Sequence, residues 1–171
     1  MPSTYTLISS NVLSSSAASV TFSAIPSTYT DLVLRGSVRD TTAGTVRDLF
    51  IRVNNDSSTL YSFRSVVGSG SAASSSANTA RTYYQGVDGS NGNGSTANTF
   101  NSFELYIPSY TASQSKPASF LTATENNATA AYITASAQLY RSNTAISELS
   151  ILGDSTLASG SSFYLYGIKN S

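Results

Sequence analysis

Large side chains recur at every second position in short runs along this chain, a period that fits half-buried β-strands and not helices. Leu32, Leu34 and Val38 share one side of a run whose other side carries Val33, Arg35, Ser37 and Arg39. Leu49, Ile51 and Val53 alternate with Phe50 and Arg52, and Phe103, Leu105 and Ile107 alternate with Glu104 and Tyr106. Ala131, Ile133, Ala135, Ala137 and Leu139 are interleaved with Tyr132, Thr134, Ser136, Gln138 and Tyr140, and Phe163 and Leu165 with Tyr164 and Tyr166. Weaker runs at 5–8, 19–23, 61–67, 119–124 and 148–152 raise the expectation from five strands to about eight to ten. Pro26, Pro108 and Pro117 fall at the ends of these runs, where a missing N–H does least harm. The reading is an all-β fold, an antiparallel β-sandwich of jelly-roll-like form, as one domain over residues 1–171.

Composition bears on whether such strands pack. The chain holds 35 Ser, 20 Thr and 12 Asn, while charged residues are only 11%. That bias alone would suit disorder, but 11 Tyr and 7 Phe sit mostly within the alternating runs and supply apolar area. Nine basic residues balance nine acidic ones. A nucleic-acid partner is therefore not expected, because phosphate binding rests on an excess of Lys and Arg. Weak repulsion between copies suits a protein that works packed against neighbours. No apolar run is long enough to span a membrane, and no signal-peptide pattern follows Met1, so no membrane partner and synthesis in a cytoplasm are expected.

The chemistry available to the chain is narrow. It has no histidine and no cysteine, which removes Ser–His and thiolate nucleophiles, imidazole and thiolate metal sites, and disulfides. Glycoside hydrolysis would need two carboxylates at a set separation. The acids available, Glu104, Glu125, Glu148, Asp40, Asp48, Asp56, Asp88 and Asp154, stand in no catalytic motif. The segment Asn54-Asn55-Asp56-Ser57 reads as a hairpin turn and not as a calcium loop. Arg35, Arg39, Arg47 and Arg52, with Asp31, Asp40 and Asp48 close by in sequence, read as cross-strand ion pairs on a wet face. No enzymatic activity, cofactor or metal is expected.

From 68 to 99 the alternation stops. This stretch holds six of the eleven glycines and is read as one long polar loop excursion with a small hairpin at Asn91-Gly92 or Asn93-Gly94. Its Ser, Gly, Asn and Tyr content resembles that of adaptable binding loops. Arg81, Tyr83 and Tyr84 are the candidate contact residues.

Several phrases carry a resemblance: Tyr5-Thr-Leu-Ile-Ser-Ser, Ile25-Pro-Ser-Thr-Tyr-Thr-Asp-Leu-Val-Leu, Glu104-Leu-Tyr-Ile-Pro-Ser-Tyr, Thr124-Glu-Asn-Asn-Ala-Thr-Ala-Ala-Tyr and Ser162-Phe-Tyr-Leu-Tyr-Gly-Ile-Lys-Asn. Together they resemble small virion proteins of tailed bacteriophages, over nearly the whole length. The resemblance implies a structural role on the capsid surface, as a decoration (cement) protein that binds the major capsid protein and itself, as a homotrimer. The alternative within the same resemblance is a tail-fibre or tail-tip module that contacts the host surface. Freedom from oxidisable thiols suits a particle that persists outside the cell.

Overall fold

The computed structural model describes residues 4–169. Twelve strands and no helix are found among them: β1 Tyr5–Val12, β2 Ala17–Phe22, β3 Asp31–Val38, β4 Val46–Val53, β5 Tyr61–Gly68, β6 Ala73–Arg81, β7 Tyr84–Asn91, β8 Asn101–Ile107, β9 Lys116–Glu125, β10 Ala131–Tyr140, β11 Leu149–Leu157 and β12 Ser162–Ile168. They form two antiparallel sheets packed as a sandwich. The large sheet runs β1-β12-β3-β8-β9-β10-β5-β6 and the small one β2-β11-β4-β7. A jelly roll is a rolled hairpin, so its strand pairs must nest in sequence. The pairs β1:β12 and β2:β11 do nest, but β5:β10 crosses β3:β8 and β4:β7, so the wrapping departs from a simple rolled hairpin.

Alternation places one row of large side chains in register across four strands of the large sheet: Leu165, Leu34, Leu105 and Phe120. All four are buried against Leu49, Ile51, Leu149 and Ile151 of the small sheet and neighbouring core residues. Each contributes roughly 1.5–3 kcal/mol of apolar burial. Val33 points the other way yet is only 1% exposed, because its register neighbours on that outer face are Tyr106 and Tyr166.

The second half of the large sheet inverts the usual sense of the pattern. In β10 the buried set is Thr134, Ser136, Gln138 and Tyr140, whereas Ile133, Ala135 and Ala137 face solvent. Several inward polar groups of β9 and β10 are met by β7, the strand of the small sheet that lies over them. Gln138 accepts the N–H of Gln85 at 3.2 Å and donates to its carbonyl at 2.7 Å. Asn91 donates to the Glu125 carbonyl at 3.0 Å, and Thr124 to that of Asp88 at 2.5 Å. Buried polar groups with such partners cost little, and they lock the two sheets together. Gly86 permits the close approach, since a Cβ there would lie 2.9 Å from the Phe120 ring.

The segment 68–99 is not one loop. It forms β6, hydrogen-bonded to β5 at the edge of the large sheet, and β7, hydrogen-bonded to β4 in the small sheet. Neither strand shows apolar alternation: β6 is Ala, Ser, Asn and Thr up to Arg81, and β7 sets only Tyr84 and Val87 among Gln, Gly, Asp, Ser and Asn. A turn does form at Asn93-Gly94, but it leads from β7 across to β8 in the other sheet and closes no hairpin. That connection is held within the protomer: the buried Arg39 guanidinium donates to the carbonyls of Ser95, Thr96 and Thr99 at 2.9–3.0 Å.

Candidate interaction surface

The inverted pattern leaves an apolar surface on the outer face of the large sheet. Successive register rows read Arg64, Ala137, Ser119, Tyr106; then Val66, Ala135, Leu121, Glu104; then Gly68, Ile133, Ala123, Ser102. Val66 is 59%, Ile133 58% and Leu121 47% exposed. Alanines between these larger residues make a shallow trough, which continues past Tyr106, Pro108 and Pro117 as an open groove of about 790 Å³. Large exposed apolar residues standing singly are ordinary; three in adjacent rows of one sheet are a patch.

Polar groups border the patch. On one side Arg35 of β3 pairs with Glu104 of β8 at 2.5 Å, directly across the strands. The pair is half in solvent, so it adds little stability, but it cancels the charge next to the apolar rows. On the other side Arg64 donates to the Phe63 carbonyl at 2.9 Å.

The sequence candidates divide. Arg81 and Tyr83 meet at the surface near the β6–β7 link: Arg81 donates to the Tyr83 hydroxyl at 2.8 Å, and its guanidinium lies 4.9 Å from the ring centre. Phe50 also packs on Tyr83, with ring centroids 4.1 Å apart. Tyr84 is a core residue and offers no contact surface. It is fully buried, donates to the Lys116 carbonyl at 2.9 Å and meets the Tyr61 ring edge-on at 5.5 Å. Burial pushes the phenol pKa of both Tyr61 and Tyr84 up.

Several of the acids hold structural hydrogen bonds. Asp48 accepts from the Gln85 amide and from the Asp88 N–H, and Asp40 from the Thr42 N–H. Burial, then the charge of Asp48, raises the pKa of Asp88; burial, then Asp48 and Asp40, raises that of Asp154. Asp56 is lowered by hydrogen bonds from Ser58 and Tyr140. The expected pairing with Asp31, Asp40 and Asp48 does not form among the described residues: Arg47 reaches Asp154 at 4.0 Å, Arg35 pairs with Glu104, and Arg39 is buried and donates to the loop carbonyls. Among the described residues, no three His, Cys, Asp or Glu side chains are grouped to hold a metal.

What sequence reasoning missed is the outer-face patch itself. The one available signal was that β9 and β10 each place polar residues in phase, Thr122 with Thr124 and Thr134 with Ser136 and Gln138, so that either side of the strand was eligible for the core. Comparison with protein-family models, curated proteins and solved structures returned no match.

Proposed function

We propose that this protein is a structural component of a bacteriophage virion, a capsid-decoration protein that lays the outer face of its large sheet on the major capsid protein. The observation that carries the reading is the solvent-facing apolar phase of β10 and its neighbours, Val66, Leu121 and Ile133 with the alanines between them. Covering a half-exposed aliphatic side chain is worth about 1 kcal/mol, so a few of them give weak individual attachment. Repetition over a lattice converts weak contacts into firm attachment, more so if the copies cluster in threes as the resemblance implies. The tail-tip reading asked Tyr83 to stack on a host ligand. Its ring is already engaged by Phe50 and Arg81, which weighs against that role.

The test is head occupancy. Particles assembled with Leu121→Lys/Ile133→Lys protein should carry markedly fewer copies than wild type, by quantitative gel or cryo-electron microscopy, and should lose their DNA at lower temperature. Normal occupancy of the variant, or wild-type protein found only on tails, would overturn the proposal.

A further inference from the structure

Strand β6 raises a question of its own. All residues from Ala73 to Ala80 are exposed, on both faces of the strand, so no side chain there is buried to hold it. Among the described residues its only ladder is to β5, and its other edge is the free margin of the large sheet. Ordering a residue in a strand costs roughly 1–2 kcal/mol of backbone entropy, which one side of hydrogen bonds offsets poorly. Proteins usually protect such margins with charges, prolines or bulges. The opposite margin, β1, is interrupted by a bulge between Leu7 and Ser9. Along Ala73–Asn78 the pairing with β5 is unbroken, and the stretch contains no charge and no proline; the irregularity comes only after Asn78.

We propose that β6 pairs antiparallel with β6 of a second copy of this chain. Centred on Ser75, the pairing sets Ala73 opposite Ala77, Ser74 opposite Ser76 and Ser75 opposite its own copy, so that opposed side chains share a face. Every opposed pair is small, and no like charges meet, since Arg81 lies beyond the paired stretch. Hydroxyl pairing of this kind already occurs on the inner edge of the same strand, where the Ser65 and Ser76 hydroxyls are 2.8 Å apart. A neutral, self-matching edge selects a copy of itself over a charged partner strand, and the zero net charge of the chain removes long-range repulsion between copies.

The geometry has a further result. Two identical strands related antiparallel within a sheet must be exchanged by a twofold axis perpendicular to that sheet. The two large sheets then join into one of sixteen strands, and both apolar outer faces lie on the same side. The contact closes at two copies. It is compatible with threefold clusters if it joins one cluster to the next, and it stands or falls apart from the head assignment.

Sedimentation equilibrium of the purified full chain over a range of concentrations tests the pairing. We expect a two-copy species that Ser75→Lys/Ser76→Lys weakens at least tenfold, with an unchanged far-ultraviolet circular dichroism spectrum. Ser75→Glu/Ser76→Glu should weaken it equally, and an equimolar mixture of the two variants should restore it. A monomer at every concentration, a dimer indifferent to both charged variants, or failure of the mixture to reassociate would overturn the proposal.

Discussion

Gln138 does the work of a strand from inside the core, because its amide accepts from and donates to the backbone of Gln85 across the two sheets. Replacing it with Leu leaves a buried N–H and a buried carbonyl without partners. Each costs about 1–3 kcal/mol, so Gln138→Leu should destabilise by about 2–5 kcal/mol in urea titrations. Thr134, two turns of the pleat away on the same inward side, is the contrasting case: its hydroxyl is buried with no partner. Thr134→Val should therefore leave the urea midpoint unchanged or raise it. The aspartates give a pH dependence with two opposed parts. Asp88 and Asp154 have folded pKa values above the ordinary 3.8, so the stability they contribute is full below that value and is lost as pH rises through their folded values. Asp56 is lowered, so its contribution is present above 3.8 and is lost as pH falls through its folded value. Asp48→Asn removes the charge that Asp88 and Asp154 share. Their carboxyl-carbon chemical shifts should titrate at lower pH than in the wild type, and an unmoved titration would show that the Asp48 charge plays no part in raising them.

At the scale of the strands, the outward phase of β9 and β10 makes a sharp distinction between neighbours. Leu121→Lys should cost less than about 0.5 kcal/mol, because the side chain already reaches solvent. Thr122→Lys, one position on, drives an ammonium into a site that is 1% exposed, and should abolish cooperative unfolding. Strand existence was legible wherever large residues alternate, as in β3, β4, β8 and β12. Which side of β10 faces inward was not, because Ile133 and the alanines are no larger a set than Tyr132, Tyr140 and the hydrogen-bonding residues between them. That choice is made by β7, whose backbone needs partners, and β7 has no hydrophobic pattern to announce it. The ordering of 92–100 by Arg39 was equally hidden, since a lone arginine at the end of an alternating run looks like any solvated charge. Of the candidate contacts, adjacency in sequence put Tyr83 and Tyr84 together, and the pleat of a strand start sent only one of them to the surface.

On the scale of the whole molecule, β1 and β12 lie side by side at one margin of the large sheet, and the Lys169 N–H reaches the Thr4 carbonyl at 3.3 Å. A short linker between these positions, with new ends opened at the exposed Ser69–Ala72 turn, should yield a circular permutant that folds with a near-wild-type melting temperature. Loss of cooperative melting would show that the covalent β5–β6 connection is needed for the fold. The same arrangement bears on engineering. Seven strand spacings separate this margin from β6, about 34 Å at the usual inter-strand distance. Cargo grafted beside Thr4 or Lys169 would leave the molecule from a single point, well clear of the opposite rim, making the fold a natural carrier for display.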